Sequence, residues 1–181
     1  MLMRATGRGS ISSILKLVVD VIWVIACAML GFIWIIAGAS IVSLMTGGAP
    51  FLGIERLAFD SPLKWAVWTL NGSIIGIGVM VVCAYLRGVF ETLVEGDPFV
   101  PGNARRFASI AIVLAIMEGS SMFITTLVGP ILAAMGLLDE TMPFVFPNVN
   151  LPIWIAVVTL LILAQVFREG AAMREEQKMT I

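Results

Sequence analysis

The chain has 181 residues, 60% of them apolar and 13% charged, with a formal net charge of −1 and no histidine. Soluble domains run about 45–50% apolar and about 25% charged, and a globule this small buries only about two-thirds of its surface, so the surplus apolar surface must meet lipid. The near-neutral charge and scattered basic residues argue against direct nucleic-acid binding. With no histidine and only Cys27 and Cys83, no zinc or other metal site and no cofactor is expected.

The basic N-terminal segment M-L-M-R-A-T-G-R-G-S-I-S-S precedes an apolar run over 17–44, interrupted only by Asp20. A cleavable signal peptide has an apolar region of about 7–15 residues, so this run reads as an anchor. Val24-Ile25-Ala26-Cys27 loosely matches a lipoprotein box, but the apolar run continues well beyond it. Gly47, Gly48 and Pro50 end the first span, and 51–63 forms a loop, with Asp60 or Ser61 as a cap and Pro62 in the next first turn.

The second span covers 65–85 and carries Gly72 and Gly76, a spacing that lets helix backbones approach closely within a bundle. Beyond Tyr85, Leu86, Val89, Phe90, Leu93 and Val94 recur at helical spacing, with Arg87, Glu91 and Glu95 on the other side. An amphipathic extension therefore leaves the membrane. In the central loop, 86–106, Gly96 fits a helix stop, Asp97-Pro98 a turn and Asn103 an N-cap.

The third span, 107–127, is disturbed by Gly129-Pro130, and an apolar stretch follows to Leu138, closed by Asp139 and Glu140. T-M-P-F-V-F-P-N-V-N-L-P predicts an extended loop, the fourth span occupies 151–167, and its helix continues over 168–181 with a fraying end.

Lys and Arg in the flanks set the orientation. Arg4, Arg8, Lys16, Arg87, Arg105, Arg106, Arg168, Arg174 and Lys178 fall on one side, and only Arg56 and Lys64 on the other. The expected fold is thus one all-α domain, 1–181, an integral membrane bundle of four transmembrane helices with both termini cytoplasmic.

Glu118 lies eleven residues past Phe107, about 16 Å into a hydrocarbon core of about 30 Å, and an ionisable group at that depth is a functional candidate. Ala111, Ala115, Ser121 and Thr125 share its helix face, and Asn71 or Ser73 is the expected partner across the bundle. A protonated carboxyl tying helices together is the structural alternative. Asp20, Gln165, Arg168 and Arg87 form a second expected cluster at the cytoplasmic mouth. No hydrolase triad, phosphate-binding loop or paired intramembrane aspartate is present, so enzymatic activity is not expected.

Glu95-Gly96-Asp97-Pro98-Phe99 with Asn103 and Arg106, and Val166-Phe167-Arg168-Glu169-Gly170 with Arg174-Glu175-Glu176 and Met179-Thr180-Ile181, resemble a bacterial family of small four-span membrane proteins. That family is grouped as a domain of unknown function and is often encoded beside a small Cro-like helix-turn-helix regulator. The resemblance implies an inner-membrane, multi-pass protein that acts as a membrane sensor or regulator with a cytoplasmic partner. Gly96, Asp97, Pro98, Phe99, Asn103, Arg106, Gly170 and Arg174 would form the docking face, or would simply shape a tight reversal and a capping tail. Two other readings stay open: a proton-coupled transporter or efflux component using Glu118, and a peptide-toxin immunity protein.

Overall fold

The computed structural model describes residues 11–45, 62–95, 99–137 and 149–179, which are all-α. Their elements are α1 (Ile11–Met45), α2 (Pro62–Val94), α3 (Pro101–Phe123), a π-helical turn (Ile124–Val128), α4 (Gly129–Ala134) and α5 (Leu151–Met179). Among the described residues four stretches are long and apolar enough to cross a bilayer: Ile14–Val42, Trp65–Leu93, Pro101–Ala134 and Leu151–Glu176. The chain is a multi-pass membrane protein. Large apolar side chains such as Trp34, Ile35 and Ile162 stand about 60% exposed, which is a stable arrangement only when lipid is the solvent.

The helices keep their expected order but are longer than the spans read from sequence. α2 runs on from Tyr85 to Val94 as the amphipathic extension, with Pro62 as its first residue. Pro62 needs no amide partner there, since the first N–H groups of a helix lack an acceptor. Gly47, Gly48 and Pro50, the loop residues Asp60 and Ser61, the turn residues Gly96, Asp97 and Pro98, and Asp139 and Glu140 lie outside the described residues.

The chain divides into two compact units. The second contains Ala26–Ile77 and Met117–Asn150, and within it α1 packs on α2 through the two glycines. A Cβ at Gly72 would lie 3.1 Å from Ile33 Cδ1, and one at Gly76 3.2 Å from Leu30 Cδ1. The small-residue spacing therefore serves packing within the chain. Gly76→Leu is expected to lower stability by roughly 1–3 kcal/mol through overpacking, whereas Gly76→Ala, which Leu30 can accommodate by a small shift, should cost less; the thermal midpoint in detergent reads the difference.

Gly129-Pro130 widens the third span instead of breaking it. Proline lacks the N–H that an α-helix needs and its ring crowds the preceding turn. The chain answers with a π-helical turn in which the Gly129 amide donates to the Ile124 carbonyl, five residues back. Helix α4 then stops at Ala134, four residues short of Leu138. Gly136, at φ 70°, supplies the left-handed residue, and Gly136 N donates to Ala133 O at 2.9 Å and Leu137 N to Leu132 O at 3.0 Å. These two bonds are the paired closure of a Schellman stop.

Candidate functional site: the α2–α3 turn and α5

The first unit contains Met1–Ile25, Gly78–Ile116 and Leu151–Ile181, and its polar residues gather where α2 ends and α3 begins. α3 starts at Pro101, so Asn103 is inside the helix and not its N-cap. The proline at the first position fixes the start three residues earlier than an N-cap at Asn103 would. Freed from capping, the Asn103 side chain turns inward and is fully buried, 0% exposed.

Both ends of that amide are used. Nδ2 donates to Thr92 Oγ1 at 2.6 Å, and Oδ1 accepts from Arg106 Nη1 at 2.8 Å. Arg106 Nη1 also donates to the Gly88 carbonyl at 2.8 Å, and Thr92 Oγ1 donates to Val89 O at 2.8 Å. A polar network inside an apolar unit is stabilising when every member is satisfied, and here four residues from two helices close on one another. Gly88 makes room for it: a Cβ there would sit 2.7 Å from Arg106 Nε.

Aromatic packing brings in α5. Phe99 lies 5.4 Å from Phe167, ring centroid to centroid, and Phe107 lies 5.0 Å from the same ring. Gly170, one turn further along α5, lets Phe99 settle against the helix backbone, since a Cβ would come within 2.8 Å of Phe99 Cδ1. Phe99 remains 43% exposed. Phe99 and Gly170 therefore come together, Asn103 and Arg106 join instead in the network with α2, and Arg174 is half-buried a turn beyond Gly170 on α5.

The expected cluster of Asp20, Arg87, Gln165 and Arg168 separates into two parts. Arg87 Nε donates to Asp20 Oδ1 at 2.5 Å and its guanidinium lies 5.1 Å from the centre of the Trp23 ring. Gln165 instead donates to Glu169 Oε1 at 2.5 Å and accepts from Arg168, all within α5. A further ion pair, Lys16 with Glu91 at 3.3 Å, lies one turn from the Asp20–Arg87 pair on each helix.

The second unit resolves the intramembrane candidates differently from expectation. Ser121 Oγ donates to Asn71 Oδ1 at 3.0 Å, and Ser73 Oγ donates to the Thr69 carbonyl of its own helix at 2.6 Å. Neither reaches Glu118 by any of these bonds. Glu118 Oε1 accepts from the backbone N–H of Asn150 at 3.2 Å, the residue just before α5 begins. Glu118 stays near the middle of the Pro101–Ala134 span, as its place in the sequence implies, and its carboxyl is held by a backbone amide and not by a side chain of α2. Among the described residues no three of His, Cys, Asp and Glu gather as metal ligands would.

Residues 55–181, which include α2, the turn and α5, match the family described as protein of unknown function (DUF2975). The chain belongs to this family. Helix α1 precedes the DUF2975 match, whereas Phe99, Asn103, Arg106, Gly170 and Glu118 all lie inside it. Neither a curated protein nor a solved structure matches the chain.

Within the DUF2975 region, sequence reasoning missed Gly88, Thr92, Phe107 and Phe167 as members of the site. Gly88 carried a signal, being a lone glycine inside a helical pattern, which usually has a packing reason. Phe167 stands in the family-like stretch 166–170, whereas Thr92 and Phe107 carried no signal, because their spacing is that of ordinary helix positions.

Proposed function

We propose that this chain is a non-enzymatic regulator of the bacterial inner membrane, with both termini and the α2–α3 turn in the cytoplasm. A soluble protein docks on the surface formed by Phe99, the start of α3 and the Gly170 turn of α5. The observation that carries this reading is the seating of Phe99 against Phe167 and Gly170, which joins the turn to the C-terminal helix as one preformed surface. Preformed surfaces lose little entropy on binding, and a half-exposed aromatic at the centre of a patch is the usual anchor of an interface.

Charge supports the orientation. Nine Lys and Arg flank the spans on the side of the termini and the turn, against two on the other. Arg105 near the start of α3 and Glu169 beside Gly170 in sequence are both exposed, and this mixture of signs suits a soluble protein surface better than nucleic acid. The resemblance to chains encoded beside helix-turn-helix regulators makes such a regulator the partner. For Glu118 the structural reading is favoured over proton-coupled transport, because its carboxyl is engaged by the Asn150 amide.

Two measurements test this. With Cys27 and Cys83 replaced by alanine, a cysteine substituted for Glu175 should react with membrane-impermeant maleimide only in inverted vesicles. A purified small helix-turn-helix regulator, of the kind encoded beside the resembling chains, should co-elute with the detergent-solubilised chain, and Phe99→Ala should weaken binding roughly tenfold or more. Labelling in intact cells, or undiminished binding by both Phe99→Ala and Arg105→Glu, would overturn the assignment.

A further inference from the structure

Along the last turns of α2, the residues that hold neighbouring helices come as adjacent pairs. Arg87 and Glu91 engage α1, through Asp20 and Trp23 for the first and Lys16 for the second. Gly88 and Thr92, the very next residues, engage α3 through Arg106 and Asn103. Residues four apart share a stripe of a helix and neighbours in sequence lie on different stripes, so one short segment grips α1 with one stripe and α3 with the next.

The charges on the α1 side are ordered. Running along α1 they read positive at Lys16 and negative at Asp20, and opposite them on α2 they read negative at Glu91 and positive at Arg87. Sliding α1 by one turn in one direction sets Lys16 against Arg87, and in the other sets Asp20 against Glu91. Either slip replaces an attraction by a like-charge contact, so only one register is neutral. On the other side, the backbone carbonyl of Gly88 and the hydroxyl of Thr92 are acceptors in the network that fixes Asn103 and Arg106. Any rotation of α2 that follows a change at Arg87 and Glu91 must carry those two acceptors with it.

We propose that the 87–92 segment of α2 is a two-sided coupler, through which the register of α1 controls the docking surface at the start of α3. The proposal rests on the docking reading above and adds its regulation: α1 is the input element, the turn around Phe99 the output. α1 lies ahead of the family match, so the input belongs to a segment that the matched region does not include. Two-state elements biased from both ends are the physical basis of such coupling.

Hydrogen exchange of the full-length chain in lipid nanodiscs tests this without needing the partner. Asp20→Arg, which faces Arg87 with a like charge, should speed exchange of the 99–107 amides about three- to tenfold, as expected for one ion pair lost and one repulsion gained. Combining it with Arg87→Asp should restore exchange to within about twofold of the native chain. Lys16→Glu, alone and with Glu91→Lys, should repeat the pattern, and Glu175→Lys should leave 99–107 unchanged. If Asp20→Arg prevents folding, Asp20→Asn and Lys16→Gln provide the same readout at smaller amplitude. Faster exchange confined to α1, with 99–107 at native rates, would show that the two sides of α2 are not coupled. Equal rates in single and double variants would show that the charge order sets no register. Failure of a partner to bind leaves these exchange outcomes intact, so the coupler and the docking surface fail separately.

Discussion

Asn103→Ala is expected to destabilise the protein by roughly 2–4.5 kcal/mol, the sum of a hydrogen bond to a charged group at about 1.5–3 kcal/mol and a neutral one at about 0.5–1.5 kcal/mol. Asn103 is fully buried and bridges Thr92 on α2 to Arg106 on its own helix. Removing it strips Arg106 of one of its two acceptors at Nη1 and leaves only the Gly88 carbonyl. Water cannot readily substitute at a site with no exposure. Asn103→Leu, which keeps the branched side-chain shape without leaving a cavity, should cost at least nearly as much, showing that the lost amide and not a void is responsible.

Asn103→Asp separates the two halves of the interaction. Its carboxylate keeps an acceptor for Arg106 and adds charge to that bond, while an oxygen now faces Thr92 Oγ1 where an N–H stood. The Thr92 hydroxyl must then leave the Val89 carbonyl to donate. A loss of about 1 kcal/mol is expected, one neutral hydrogen bond's worth. Denaturant unfolding in mixed micelles reads all three variants. Stabilities within about 0.5 kcal/mol of the native chain for both Ala and Leu would mean that the network contributes nothing measurable.

The same asparagine shows where the sequence was legible and where it was not. The four spans were readable because lipid demands long apolar helices whatever their tertiary contacts. Asn103 looked like a helix cap, since asparagine before an apolar run usually is one. Pro101 starts the helix earlier, and the asparagine becomes a buried bridge whose partners, Thr92 and Arg106, no local pattern identifies. Glu118 was legible as an unusual acid in an apolar run. Its bond to Asn150, 32 residues away, is a long-range contact, which spacing along one helix cannot reveal. The small-residue motif at Gly72 and Gly76 was read correctly as packing, because close approach of backbones needs only the missing side chain.

Gly88 is where helix propensity and tertiary structure pull in opposite directions, so Gly88→Ala should behave unlike most glycine substitutions in this chain. In a helix interior, alanine is favoured over glycine by roughly 0.5–1 kcal/mol. Gly31 and Gly38 of α1 have open space where a Cβ would be, and Gly31→Ala and Gly38→Ala should be neutral or stabilising by about that amount. At Gly88 the new methyl would lie 2.7 Å from Nε and 2.8 Å from Cζ of Arg106. A long arginine ordinarily swings aside at little cost, but this one is tethered through Nη1 to Gly88 O and Asn103 Oδ1. Moving it breaks one or both bonds, a loss of about 1.5–3 kcal/mol for a charged donor. That exceeds the gain in propensity, so the net effect should be a destabilisation of about 1–2 kcal/mol. Arg106→Met removes the guanidinium and with it the clash, at the cost of the same bonds. In that background Gly88→Ala should cost nothing further, or stabilise as it does at Gly31. Thermal midpoints of the two single variants and the double close the cycle. A full additive loss in the double would place the effect of Gly88 elsewhere than under Arg106.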